Sequence, residues 1–335
     1  MKNTSSYFLR FVSLLGEERK RMFMLVGLAV MSLNALSQLD PRFLQPGLTP
    51  LEVNPGFAGL QPGTELNACH LSQWPSLSSG GFQTSFLALN VRPGGSPVGL
   101  GLTTTQDVAG GTTTTNSAKV MAAYGLPLGE QSELRMGLSV GAFKSFMDTE
   151  GLIFAEPEPG LLNQIQYVSL SGGMLFTTSR LTLGGAAWHV NEPSNTFLVG
   201  GNSTKDIRFQ THAAYDFPVI VTEEGAMLLS ISPSVQQRWQ DQSMLTFVGV
   251  YANILYQFRL GAMTMASALS GGPTDIVNWG GSAGVRLGEV WLNYTYGQEV
   301  VFASAGASHQ LNVQLSLGDL WKNRVQDGDD AGQEE

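Results

Sequence analysis

The chain has 335 residues, enough for one large domain or two smaller ones. Only 13% of them are charged, about half the share usual in soluble globular proteins, and the formal net charge is −9. An acidic surface of this kind argues against nucleic acid as a partner, and the single cysteine, Cys69, excludes an intrachain disulfide. Sparse charge, abundant glycine and no helical apolar run of about 20 residues favour strands over helices as membrane-crossing elements.

In chain order, Arg19, Lys20 and Arg21 precede the apolar run Met22 to Leu33, and Ala35-Leu36-Ser37 offers a small-x-small cleavage site before Gln38. This is the layout of a secretory signal peptide over residues 1–37, with an apolar core too short to span a bilayer. A single membrane anchor is the competing reading, and Met22 offers a second translation start. Removing residues 1–37 takes five of the 18 basic and two of the 27 acidic residues, which moves the net charge from −9 to about −12. Residues 38–62 hold five prolines (Pro41, Pro46, Pro50, Pro55 and Pro62). Proline breaks a ladder, so this stretch is an extended lead-in, expected inside a barrel as a plug or across its periplasmic mouth.

From residue 63 to 318 the pattern changes to period two. Strands are expected near 64–71, 82–91, 97–105, 115–126, 132–143, 165–176, 180–190, 206–217, 224–236, 244–257, 259–267, 276–286, 288–297 and 307–317. In the last, Gln310, Asn312, Gln314 and Ser316 alternate with Leu311, Val313, Leu315 and Leu317. In the fifth, Leu134, Met136, Leu138, Val140 and Ala142 alternate with Arg135, Gly137, Ser139 and Gly141. In the eighth, Phe209, Thr211, Ala213 and Tyr215 alternate with Arg208, Gln210, His212 and Asp216. Successive side chains point to opposite faces, so the apolar set meets lipid and the polar set lines a wet lumen. The fold class is therefore all-β, a transmembrane antiparallel up-and-down barrel of about 14 strands with an N-terminal plug.

The links alternate in length, as outer-membrane barrels require with short periplasmic turns and longer outer loops. Links at 92–96, 127–131, 177–179, 218–223 and near Arg259 and Leu287 read as tight. Those at 72–81, 106–114, 144–164, 191–205, 237–243, 268–275 and 298–306 read as longer, with 144–164 the most prominent. Trp188, Trp239, Trp279, Trp291, Tyr294 and Tyr296 are candidates for interfacial girdles. Residues 319–335 form an acidic tail, most simply a solvated run.

No residue pattern points to catalysis or to a cofactor. Gly137-Leu138-Ser139-Val140-Gly141 and Gly280-Gly281-Ser282-Ala283-Gly284 match G-x-S-x-G, but that motif needs a strand, a sharp elbow and a helix. Both copies lie in period-two patterns. Gly99-Leu100-Gly101 lacks the frame of a dinucleotide site. His70, His189, His212 and His309 lack metal-ligand spacing, and Asp148, Glu150, Glu156 and Glu158 lack that of a calcium loop. The chain therefore reads as a non-enzyme without metal.

Gln38-Leu39-Asp40-Pro41-Arg42-Phe43-Leu44-Gln45, followed by Asn54-Pro55-Gly56-Phe57-Ala58-Gly59, resembles the mature N-terminus of the PorP/SprF family of the type IX secretion system of Bacteroidota. Trp74 with Gly81, Gln83 and Thr84 is similar to that family's first loop and second strand, and Val98-Gly99-Leu100-Gly101 to its third. Trp188-His189-Val190-Asn191-Glu192-Pro193 resembles its mid-chain motif, followed by Tyr215-Asp216-Phe217-Pro218. Gly306-Ala307-Ser308-His309-Gln310 is similar to the lead into its final strand. Leu39 is inserted in the usual opening, and Val190 replaces the common second residue of the mid-chain motif.

The resemblance implies a non-enzymatic outer-membrane barrel that supports export or surface attachment of cargo such as gliding adhesins with C-terminal sorting domains. Its implied partners are outer-membrane lipid, other secretion components and the cargo tail. Asn54, Pro55, Ala58, Gly59, Trp74, His189, Asn191, Pro193 and His309 are the family-motif residues, placed to brace loops or to touch a partner. The alternative is a channel for a small or apolar solute, in the manner of fourteen-stranded fatty-acid porins with an N-terminal hatch. An outer-membrane hydrolase acting through Ser139 and a soluble sandwich are the remaining readings.

Overall fold

The computed structural model describes residues 40–77, 81–149, 160–223, 227–269, 274–300 and 303–318. The expected signal peptide, the Glu156 to Pro159 segment and the acidic tail lie outside the described residues.

Among the described residues, fourteen antiparallel strands close on themselves. They are β1 (Gly63–Gln73), β2 (Phe82–Arg92), β3 (Val98–Ala109), β4 (Thr113–Gly129), β5 (Ser132–Met147), β6 (Gln164–Thr178) and β7 (Leu181–Trp188). The rest are β8 (Arg208–Tyr215, resuming as Phe217–Val221), β9 (Met227–Gln240), β10 (Ser243–Ile254), β11 (Phe258–Leu269), β12 (Thr274–Leu287), β13 (Val290–Glu299) and β14 (Ser308–Gly318). Asp216 interrupts the eighth strand, but both of its pieces pair with β9. Closure comes from β14 pairing with β1, from Thr64 opposite Gly318 to Ser72 opposite His309. A chain in hydrocarbon cannot leave a sheet edge unpaired, and this join removes the edge.

The two faces separate as the period-two pattern requires. On β5, Met136, Leu138 and Val140 are 48%, 72% and 55% exposed, while Arg135 and Ser139 are buried. On β8, Phe209 is exposed while Arg208 and Gln210 are buried, and on β14 Leu311 is exposed while Gln310 and Asn312 are buried. The inside of the cylinder, however, is not a wet polar lumen throughout. Cys69, Leu71, Phe86, Ala88, Met121, Ala123 and Trp188 point inward and pack with Phe43, Leu44, Leu51 and Ala58 of the lead-in. Burying an apolar side chain of this size stabilises by about 1.5–3 kcal/mol, so the barrel encloses a core of its own.

Three expectations are corrected. Trp188 is buried, and Trp291 shares its inward parity with the buried Asn293 and Thr295, so neither belongs to a girdle. Cations hold both inside: Arg208 lies 4.8 Å over the Trp188 ring and Arg259 5.3 Å over Trp291. Trp279, Tyr294 and Tyr296 are exposed on the outer face. Second, the links expected to be long at 106–114 and 237–243 are tight. Threonine-rich ends extend the β3–β4 ladder from Val98 opposite Tyr124 to Ala109 opposite Thr113. Asp241, with φ 51°, turns β9 directly into β10. Third, much of the turn expected at 218–223 is strand, because Val219, Ile220 and Val221 favour the ladder despite Pro218.

Candidate functional site: a lumen filled by the lead-in

The lead-in folds as three short turns, each opened by a proline at its first position: Pro46–Leu48, Pro50–Val53 and Pro55–Phe57. Proline suits that position because its missing N–H has no intrahelical partner to lose. Chain direction fixes where the segment lies. Its start meets strand ends on the long-link side, and its end meets strand ends on the short-link side. At the first, Arg238 donates to the Pro41 carbonyl at 3.1 Å, and Arg42 lies 3.7 Å from Glu299 and 5.6 Å over Trp74. Burial lowers the Arg42 pKa, and the Glu299 carboxylate opposes the shift.

Below this, the Gln310 side-chain oxygen accepts from the Leu44 and Gln45 amides at 2.7 and 3.3 Å, and Asn67 donates to the Leu48 carbonyl at 2.6 Å. The polar face of the last strand is thus a rail that satisfies lead-in backbone, which would otherwise be buried without partners. Glu52 forms an ion pair with Lys119, and both side chains are largely buried. Lys119 also lies 5.2 Å over Trp188, whose indole N–H donates to the Val53 carbonyl at 3.4 Å.

Asn54 caps the third turn, its side-chain oxygen accepting from the Gly56 amide at 2.8 Å. Its amide nitrogen reaches across to the Met174 and Gly185 carbonyls at 2.8 and 3.1 Å, and lies 3.2 Å from a ring nitrogen of His212. One side chain thereby ties the lead-in to β6, β7 and β8. Pro55 sets the turn, and Arg135, wholly buried, donates to the Gly56 and Ala58 carbonyls at 3.2 and 2.6 Å and to Glu133 at 2.9 Å. Gly59, with φ +62°, donates to Asn90 at 2.5 Å, and a Cβ there would lie 2.3 Å from the Gly99 Cα. Arg92 closes the short-link end by donating to the Leu60 carbonyl at 3.3 Å. The G-x-S-x-G glycine Gly137 has the same use: a Cβ there would meet the Pro55 carbonyl carbon at 2.4 Å. Ser139 and Ser282 stand mid-strand, away from any strand-to-helix elbow.

The mid-chain motif braces a notch in the wall. β7 stops at Trp188, so its ladder with β6 ends at Gly172. Beyond it β6 keeps β5 on one side and, on the other, only the Val190 amide, donating to the Leu170 carbonyl at 2.9 Å, and the motif side chains. His189 then takes φ 58° and its Nδ1 lies 2.8 Å from the Ser169 hydroxyl. Asn191 continues the ladder with its side chain, accepting from the Leu170 amide and donating to the Val168 carbonyl, both at 2.8 Å. The Pro193 carbonyl accepts from the Lys205 amide at 2.9 Å. Trp74, with φ 53°, similarly turns the chain out of β1 and packs edge-on against Phe82 at 5.0 Å. His309 stands apart on the outer face, 2.7 Å from the Tyr294 hydroxyl. The structure thus brings Asn54, Pro55, Ala58 and Gly59 together in the lumen, sets Trp74, His189, Asn191 and Pro193 at loop bases, and leaves His309 outside. Sequence reasoning missed Glu52 and Lys119, and placed Arg208 on the lumen face without its contacts to Trp188 and the Glu52 carbonyl. Among the described residues no three His, Cys, Asp or Glu side chains converge on a possible metal position.

A closed antiparallel barrel with an apolar outer belt and a polar-anchored lumen segment is the architecture of an outer-membrane protein. Several solved structures are similar to it. They include the CymD monoaromatic hydrocarbon channel, 11% identical over 82% of this chain and 93% of that one, with a TM-score of 0.50. Another is the Ralstonia pickettii toluene transporter TbuX, 12% identical over 81% and 94%, TM-score 0.47. A third is Acinetobacter baumannii Omp33, 9% identical over 77% and 100%, TM-score 0.45. No curated protein matches the chain. The family described as type IX secretion system membrane protein PorP/SprF matches residues 35–315, and the chain belongs to that family. It is an outer-membrane barrel component of the type IX secretion system.

Proposed function

We propose that the barrel is a docking platform, with its outer links or lumen engaging the C-terminal domain of an exported cargo such as an adhesin. Its short links contact other secretion components. The observation that carries this reading is the filled lumen: lead-in backbone is bound to the wall from Pro41 to Leu60. A cylinder so occupied has no bore for a folded protein, so its part in export is binding rather than passage. The two longest links also zip together, the Leu162 amide donating to the Phe197 carbonyl at 2.7 Å and the Val199 amide to Gly160 at 2.9 Å. Their exposed Leu162, Leu198 and Val199 offer apolar contact to a partner. In this reading Asn54, Pro55, Ala58, Gly59, Trp74, His189, Asn191 and Pro193 hold the platform in shape.

The test is recovery of partners with the tagged full chain from detergent-solubilised envelopes. We expect secretion components together with a cargo carrying a C-terminal sorting domain, and loss of the cargo alone with Leu198→Asp plus Val199→Asp. Recovery of neither class of partner overturns the reading. A second reading, a channel for a small apolar solute, draws on a cavity of about 230 Å³ beside the lead-in, lined by Pro50, Phe57, His212, Phe247, Tyr251 and Met263 among others. Solute uptake into liposomes that depends on the lining residues supports it.

A further inference from the structure

Most cations facing the lumen are already engaged. Lys119 pairs with Glu52, Arg135 and Arg92 with Glu133, and Arg42 with Glu299, while Arg238 donates to Pro41 and Gln240. Arg259, at the short-link end of β11, is different. Its Nε donates to the Asn253 side-chain oxygen at 2.7 Å and its guanidinium lies 5.3 Å over Trp291. Neither Nη nitrogen has a hydrogen-bond or ion-pair partner among the described residues. Asn253 is itself held, donating to the hydroxyls of Ser230 and Ser232 at 3.2 and 2.9 Å, and Ser232 donates to Asp216 at 2.7 Å. Asp216 faces the same region and, with Tyr251, acts on Arg259 electrostatically, but at more than ion-pair distance, so both Nη nitrogens keep their hydrogen-bonding capacity. Arg286 shares the inward side of the neighbouring strand opposite Trp291 and is 3.8 Å from Glu289.

We infer that Arg259, stacked on Trp291 and aimed by Asn253, is a binding site for a polypeptide carboxylate at the short-link mouth of the barrel. A guanidinium fixed through Nε and an aromatic face keeps its two Nη donors as a fork, the geometry that takes a carboxylate through two parallel hydrogen bonds. Partial enclosure in the lumen strengthens such a contact over one on an open surface. Two sources can supply the group. One is this chain: Asp327, Asp329, Asp330, Glu334 and Glu335 follow Gly318, which ends β14 at the same mouth. β12 and β13 separate β14 from β11, a distance of about 15 Å at ordinary strand spacing. The stretch from Gly318 to Asp327 reaches up to ~30 Å. The other source is an acidic segment of a second protein. The inference stands on lumen chemistry and does not depend on the cargo reading.

The test uses the full chain in detergent and a dye-labelled peptide with the sequence of residues 327–335, followed by fluorescence anisotropy. Heat-modifiable gel migration confirms that each variant is folded. With both peptides C-terminally amidated, the site predicts saturable binding that Arg259→Gln weakens about tenfold or more, that Arg259→Lys weakens less, and that is absent for a peptide with Asn and Gln in place of Asp and Glu. A full-length variant with the five tail carboxylates changed to amides separates the sources. Tighter peptide binding in it makes the chain's own tail the occupant; unchanged binding makes the occupant a partner. Peptide binding indifferent to Arg259→Gln in both backgrounds, or no binding in either, overturns the inference.

Discussion

Two stretches of the wall treat the lumen differently. From β14 through β1 to β7 the inward side chains are spent on the lead-in: Gln310, Asn67, Asn90, Lys119 and Arg135 each satisfy its backbone or charge. From β8 to β12 fewer inward side chains reach it: Arg208, His212 and Arg238 do, but beside them lie the cavity under Phe57 and, nearer the short-link mouth, a polar chain of Asp216, Ser232, Asn253 and Arg259 that makes no hydrogen bond to the lead-in. The same strand code thus builds a packed interface on one side and an unfilled one on the other. What differs is whether a second segment supplies partners for the inward side chains.

The contrast is broken most directly at its two arginines. Arg135→Ala leaves two lead-in carbonyls without their donor and Glu133 with Arg92 alone, and two buried acceptors left unsatisfied cost about 2–5 kcal/mol together. Arg259→Ala frees Asn253 and uncovers the Trp291 ring, and is expected to cost about 1 kcal/mol. Urea unfolding in lipid vesicles compares the two, and equal losses would abolish the distinction.

Next in size is Gly137→Val. Its new side chain meets Pro55 backbone, which cannot turn away as a flexible side chain can. We expect a loss of about 1–3 kcal/mol and the appearance of bilayer conductance as the lead-in leaves the wall. Asn54→Ala removes a cap and its cross-lumen bonds, worth about 1–2 kcal/mol by the same unfolding assay. Asn191→Ala exposes the Leu170 amide and should speed its hydrogen exchange by about tenfold, with global stability changed by about 1 kcal/mol or less. Tyr294→Phe, which only frees His309 on the outer face, should stay within about 0.5 kcal/mol.

Much of the cylinder could be read from period two, because a strand's face assignment is local: Leu311 and Gln310 declare opposite sides without reference to any distant residue. What stood opposite an inward residue was not legible. Phe86 and Leu87 are adjacent apolar residues, and nothing nearby says that Phe86 meets Phe43 inside the barrel, 5.7 Å between ring centroids, while Leu87 faces out. Trp188 looked like an interfacial anchor because tryptophan suits that depth; the cations that draw it inward, Lys119 and Arg208, are remote in sequence. At the motif positions, proline and glycine pointed to backbone roles, whereas the reach of Asn54 to three strands needed the closed sheet to bring them together.

Cysteine labelling along the lead-in tests the central claim most directly. In a Cys69→Ser background, Leu44→Cys, Leu48→Cys and Val53→Cys are exposed in turn to a bulky water-soluble maleimide, added to intact cells and to opened envelopes. A lead-in packed against the wall predicts that all three resist the reagent from both sides until the barrel is denatured. Rapid labelling of all three in the native membrane would mean a water-filled bore and would contradict the account.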